Sequence, residues 1–150
     1  MSKPVVFVLN GPNLNMLGIR EPELYGRQTL DDLHKLCQDE ADRLEVELVF
    51  RQTNHEGVLV DWIHESHEKV AGVVLNAGAY ARTSLALHSA VRAVSTPVIE
   101  VHITNIYTKE SYRPPSYLSY VARGVICGFG FQTYLLGMQA VHTLHITKAS

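Results

Sequence analysis

Two kinds of apolar pattern alternate along this chain. Short runs rich in β-branched residues predict five buried strands. These runs are residues 5–9, 46–50, 72–75, 98–101 and 124–127. Between them, apolar residues recur at helical spacing, which predicts helices over residues 30–44, 58–63 and 87–94. A final helix is expected to turn Leu135, Met138 and His142 inward.

Local signals support these boundaries and suggest how the elements assemble. Thr29 and Asp32 form a plausible capping pair for the first helix, and Pro97 marks a break before the fourth strand. Strict alternation of helices with strands that are apolar on both faces favours a parallel sheet covered on both sides. We therefore predict an α/β fold with a flavodoxin-like five-stranded sheet in the order 2-1-3-4-5. The 150 residues are expected to form a single catalytic domain, residues 1–150.

Composition narrows the classes of partner. Charged residues make up 19% of the chain and the formal net charge is −2, so no basic face for nucleic acid is expected. The longest apolar runs are too short to span a bilayer, and no export signal precedes the first strand. The sequence therefore predicts a cytoplasmic protein that binds neither nucleic acid nor membrane.

Two connections are longer than a compact α/β domain needs. They run from residue 10 to about residue 28 and from residue 103 to about residue 120. Because ligands of open α/β sheets bind beyond the carboxyl ends of the strands, both connections should border the site.

The first connection carries amides and a phenol beside a guanidinium. Asn13 supplies donors and acceptors at the end of a strand, while Tyr25 could act as a base. A phenol has a pKa near ~10, so stabilising tyrosinate near neutrality requires roughly three pK units, or about 4 kcal/mol. Arg20 is suited to that task because it stays charged. An asparagine-rich turn with incidental charges is the alternative.

Polar residues also follow the third and fourth predicted strands. Asn76 precedes a turn of small residues, where a ligand can approach backbone amides, and Arg82 follows it. Glu100 and His102 lie on one face of an apolar strand, so the carboxylate can orient the imidazole for general acid catalysis. Beyond them, Ile103 and Thr104 offer backbone N–H groups, and Arg113 offers a charged fork for anions or hydroxyls.

Neither a cofactor nor a metal is predicted. The stretch from Gly128 to Thr133 does not complete GxGxxG and follows the last strand rather than the first. His64 and His67 are spaced for one helix face, but such histidines are far more often ordinary surface residues than metal ligands.

The motifs NGPNLNMLGIREPELYG, QTNHEG, LNAGAYARTS, EVHITN and RGVICGFG together resemble type II 3-dehydroquinate dehydratase from end to end. The resemblance implies a flavodoxin-like fold and a homo-oligomer, a dodecamer of trimers. It also implies that water is eliminated from 3-dehydroquinate to give 3-dehydroshikimate, without a metal or Schiff base.

The resemblance further implies roles for individual residues. Tyr25 would remove the C2 proton as tyrosinate beside Arg20, and Asn13 would hold a water against the developing enolate. His102, oriented by Glu100, would protonate the departing C1 hydroxyl. The groups that would bind the carboxylate and the ring hydroxyls of the substrate are Asn76, Ile103, Thr104 and Arg113.

Three positions depart from the family pattern. Arg82 and Pro115 stand where histidines are usual, and Ser89 stands where an aspartate reaches into the site of a neighbouring subunit. The changes leave the proton-transfer residues intact, so a dehydratase remains the leading interpretation. One alternative is a diverged paralogue that binds a related cyclic hydroxy acid with weak turnover. A flavin-binding electron carrier, which the same fold would allow, is the other.

Overall fold

The protein forms one parallel sheet with helices on both faces. The structure, a computed structural model, describes residues 2–19, 26–108 and 116–149. The sheet has five strands in the order β2-β1-β3-β4-β5, which confirms the predicted flavodoxin-like topology. The strands are β1 (Val5–Asn10), β2 (Glu47–Gln52), β3 (Gly72–Asn76), β4 (Val98–His102) and β5 (Gly124–Cys127).

The sheet separates two layers of core, and helices cover each of them. They are α1 (Leu30–Leu44), α2 (Glu56–Ser66), α3 (Tyr80–Thr83), α4 (Leu85–Ala93) and α5 (Gln132–Ala149). Side chains of α1 and α5 pack with Val8 and Val74 on one face of the sheet. Side chains of α2 and α4 pack with Leu9 and Leu75 on the other face. Successive side chains of the buried strands point to opposite faces of the sheet, so these strands contribute to both layers.

The predicted local signals are largely confirmed, with one error on the last helix. Thr29 and Asp32 exchange side chain to backbone hydrogen bonds at the start of α1, and β4 begins at Val98, directly after Pro97. The inward face of α5 is formed by Tyr134, Met138 and Val141, all with no exposed surface. Leu135 is partly buried and packs against this core as predicted, whereas His142 is half-buried, so the inward placement of His142 was wrong.

The carboxyl ends of β1 and β3 approach each other closely. Asn10 and Asn76 are register partners at the last positions of the two strands. A Cβ atom on the next residue, Gly11, would lie 2.5 Å from the carbonyl oxygen of Ala77, so only glycine is accommodated there. The start of the first connection, at Gly11, thus packs directly on the turn that follows β3. In the described part of the chain, no helix combines the length and apolarity needed to cross a membrane.

Candidate active site

A cavity of about 300 Å³ opens at the carboxyl ends of β1, β3 and β4. Its walls come from the segments that follow these three strands, as an open α/β sheet predicts. The lining residues are Pro12, Asn13, Leu14, Met16, Leu17, Asn76, Gly78, Ala79, Arg82, His102, Ile103, Thr104 and Ile106.

Most of the described residues that the sequence nominated meet in this cavity. Those that line it are Asn13, Asn76, Arg82, His102, Ile103 and Thr104. Glu100 lies behind His102 and has no exposed surface. Ser89 is exposed on α4 and does not line the cavity of its own chain, so its role at a subunit contact stays a prediction. Arg20, Tyr25, Arg113 and Pro115 lie outside the described residues.

The imidazole of His102 is held by a buried carboxylate. Nε2 of His102 lies 2.6 Å from Oε2 of Glu100, and both side chains are almost fully buried. An ionised carboxylate only accepts hydrogen bonds, so Nε2 is the donor in this pair. Nδ1 is then the ring nitrogen left for a ligand in the cavity. The arrangement fixes the ring and supplies a negative charge that stabilises an imidazolium.

Two serines that the sequence interpretation missed complete the surroundings of Glu100. Ser116 donates to Oε2, and Ser119 donates to Oε1 at 2.7 Å. Because the Ser119 proton points to Glu100, the hydroxyl of Tyr107 donates to Ser119. Burial raises the pKa of Glu100, but hydrogen bonds from His102, Ser116 and Ser119 outweigh it and hold that pKa below its ordinary value. Glu100 is therefore ionised at neutral pH.

Asn13 is presented to the cavity by an uncommon backbone conformation. Its φ of 68° lies in the left-handed region, which asparagine tolerates better than most residues. The Asn13 backbone N–H donates to Oδ1 of Asn54 at 3.0 Å. Asn54 is anchored in turn, since its carbonyl accepts from the hydroxyl of Tyr80 at 2.7 Å. The backbone thus fixes the position of Asn13 where this residue lines the cavity.

Asn76 is held by a second buried network, which the sequence interpretation also missed. Its Oδ1 accepts from the backbone N–H of Gly78 at 3.1 Å, and its Nδ2 donates to the hydroxyl of Tyr134 at 2.8 Å. That hydroxyl donates to Oδ1 of Asn10 at 2.7 Å. A polar residue on the apolar face of the last helix was the available signal, but the sequence interpretation did not assign Tyr134 to that face.

The cavity favours an anionic ligand. Within the described residues its lining contains Arg82 but no aspartate or glutamate, and Arg82 makes no salt bridge in that part of the chain. A guanidinium without a carboxylate partner attracts negatively charged or hydroxyl-bearing groups. Among the same described residues, no three His, Cys, Asp or Glu side chains group as metal ligands would.

Comparison with known proteins agrees with this geometry. Residues 4–142 match the family described as Dehydroquinase class II. The chain is 53% identical to 3-dehydroquinate dehydratase 1 of Agrobacterium fabrum over 93% of its length and 97% of that protein. It is 55% identical to the 3-dehydroquinate dehydratase of Brucella canis over 91% of its length and 87% of that protein.

A solved structure extends the likeness to three dimensions. The type II dehydroquinase from Propionibacterium acnes superposes with a TM-score of 0.89 at 36% identity, covering 95% of this chain and 98% of that one. Sequence and fold agree over nearly the whole length, and this chain belongs to the class II dehydroquinase family.

Proposed function

We propose that this protein eliminates water from 3-dehydroquinate to give 3-dehydroshikimate. Family membership and relatives named 3-dehydroquinate dehydratase support this substrate. The observation that carries the proposal is the buried pair of Glu100 and His102, whose imidazole faces a cavity suited to an anion. A histidine held in this way is equipped to act as a general acid.

The proposed reaction proceeds through an enolate. A base removes the C2 proton, and the electron pair of the broken C–H bond delocalises onto the neighbouring ketone. The enolate then collapses to form the C1–C2 double bond as the C1–O bond breaks. His102 gives a proton from Nδ1 to the departing hydroxyl, which leaves as water. Resemblance to the family supports Tyr25 as the base and Arg20 as the cation that stabilises its tyrosinate form.

The cavity supplies groups suited to each part of the substrate. The substrate carboxylate would bind the side chain of Asn76 and the backbone N–H groups of Ile103 and Thr104, which border the cavity beside His102. Asn13, which also lines the cavity, would hold a water near the enolate oxygen. Arg82 would donate to a ring hydroxyl, and the resemblance assigns the same task to Arg113.

A diverged binding protein is the second candidate, and Arg82 favours it. This guanidinium lines the cavity without a carboxylate partner in the described part of the chain. It could hold a cyclic hydroxy acid in a pose that the general acid serves poorly. Family membership supports either candidate over a flavin-binding electron carrier.

The test is the ultraviolet absorbance of the conjugated enone after the purified protein is mixed with 3-dehydroquinate. Replacement His102→Ala should lower kcat by about 10²- to 10⁴-fold, the usual contribution of a general acid. His64→Ala is the matched control, because His64 is exposed on α2, remote from the cavity. Wild-type turnover that survives His102→Ala would reject His102 as the acid. Tight calorimetric binding without turnover by the wild type would favour the binding protein.

A further inference from the structure

The hydroxyl of Tyr134 joins two strand ends that border the cavity. Tyr134 lies on α5 and has no exposed surface, and its ring is packed in the core between α5 and the sheet. Its hydroxyl accepts from Asn76 at 2.8 Å and donates to Asn10 at 2.7 Å. Both asparagines are themselves almost completely buried. The three side chains therefore exchange hydrogen bonds away from solvent, where each bond is hard to replace.

Backbone groups fix the direction of this network at both ends. At one end, the N–H of Gly78 donates to Oδ1 of Asn76, so the amide nitrogen of Asn76 must face the other way, toward Tyr134. At the other end, Nδ2 of Asn10 donates to the carbonyl of Arg51 at 3.0 Å, so Oδ1 of Asn10 faces the phenol. The hydroxyl of Tyr134 must then accept from one asparagine and donate to the other.

A neutral phenol is the group that this position requires. Burial raises the pKa of Tyr134, so its hydroxyl keeps the proton that it donates to Asn10. Rotation of the Asn76 amide by half a turn would set its NH₂ group against the N–H of Gly78 and its oxygen against the phenol. The first of these contacts opposes two donors, so the observed orientation is the favoured one.

We propose that Tyr134 is a positioning residue that orients the Asn76 amide for the carboxylate of the substrate. An amide nitrogen carries two hydrogens. One of them is used by Tyr134, and the other has no partner among the described residues, at a side chain that borders the cavity. This inference rests on the proposed function, in which that remaining N–H binds the carboxylate.

The test is Tyr134→Phe, which keeps the ring and removes the hydroxyl. The amide of Asn76 then loses one of its two anchors and is held by the N–H of Gly78 alone, so its N–H is less firmly directed at the ligand. KM for 3-dehydroquinate should rise about tenfold, as for loss of one hydrogen bond to a charged group, while kcat stays within about threefold. Quinate has the carboxylate but lacks the ketone, so it cannot form the enolate, and its calorimetric Kd should rise by a similar factor.

Ser66→Ala is the matched control for general destabilisation. The hydroxyl of Ser66 is fully buried and donates to the carbonyl of Ile63 at 2.6 Å, at the end of α2 and away from the cavity. Its removal should lower the melting temperature without changing KM or the Kd of quinate. If Tyr134→Phe does not fold, Asn10→Ala is the second variant. It removes the oxygen that accepts from the Tyr134 hydroxyl and should also raise KM.

The outcomes separate this inference from the proposed function. A wild-type protein without turnover rejects the proposed function. Normal wild-type turnover, with KM and the quinate Kd of Tyr134→Phe within twofold of wild type, rejects only the role of Tyr134. An equal change in KM in Ser66→Ala would also overturn it, because the effect would then follow stability alone.

Discussion

Replacement of Glu100 by glutamine probes the buried pair at the centre of the site with little change in volume. In the wild type, the carboxylate receives hydrogen bonds from His102 at 2.6 Å and from Ser119 at 2.7 Å, and it also accepts from Ser116. Glutamine can keep its oxygen at the position that accepts from His102 and Ser116, and the Ser119 hydroxyl can rotate to accept from the new NH₂ group. Glu100→Gln therefore removes the negative charge and leaves the packing nearly intact.

The expected loss follows from the change in that one hydrogen bond. A hydrogen bond to a charged group contributes about 1.5–3 kcal/mol, against about 1 kcal/mol between neutral groups. The charged partner stabilises the imidazolium, which must hold its proton before the leaving hydroxyl can take it. The loss is therefore about 0.5–2 kcal/mol, and since about 1.4 kcal/mol corresponds to a factor of ten in rate, kcat at neutral pH should fall about 2- to 30-fold. KM should stay within about threefold, because Glu100 does not line the cavity.

The assay is enone absorbance under saturating and limiting substrate between pH 5.5 and 8.5. The deficit should appear under saturating substrate, because Glu100 contacts the general acid and does not line the cavity. Glu40→Gln is the matched control, since Glu40 is also buried and hydrogen-bonded, to Arg43 and Gln139, but lies on α1. A Glu100→Gln enzyme with wild-type kcat across this range, or a deficit shared by Glu40→Gln, would refute the reasoning.

Two further predictions concern stability. The pKa of Glu100 is lowered in the folded protein from an unfolded value of about 4.3, so its contribution is present above about pH 5 and is lost as pH falls through the folded pKa. The difference in urea unfolding free energy between wild type and Glu100→Gln should therefore narrow from pH 6 to pH 3, and a constant gap would contradict this. Gly11→Ala should cost about 1–3 kcal/mol, because its Cβ would lie 2.5 Å from the Ala77 carbonyl. Gly57→Ala has open space and should be neutral or stabilising by the same measurement.

The fold was predictable because its signals are local and redundant. Each strand is a short run of apolar residues bounded by polar or small ones, and β4 starts immediately after Pro97. The Thr29 and Asp32 cap fixes the start of α1 with two reciprocal hydrogen bonds. The last helix was harder, because apolar residues occur around most of its circumference and leave the buried face poorly defined. That ambiguity left Tyr134 out of the predicted inward face and placed His142 there.

The part of the site formed by residues close in sequence could be predicted. The part that depends on contacts between distant residues could not. Glu100 and His102 lie two residues apart on one strand, so alternation alone places them together. Ser119 reaches the same carboxylate from a connection whose path the sequence does not specify. Tyr134 meets Asn10 across 124 positions of sequence, and only the packing of α5 on the sheet brings them together. Hydrogen bonds of this kind depend on tertiary structure and produce no periodic pattern in the sequence.

The two networks explain how one sheet end can both bind a carboxylate and move protons. Asn10 and Asn76 end strands β1 and β3 and are anchored from the α5 side through Tyr134. Glu100 and His102 end β4 and are anchored through Ser116 and Ser119, from the connection before β5. The described structure has no hydrogen bond between the two sets, so each can be perturbed separately. Substitution of Tyr134 should therefore raise KM, and substitution of Glu100 should lower kcat. In a variant that carries both changes, the free-energy loss calculated from kcat/KM should equal the sum of the two single losses.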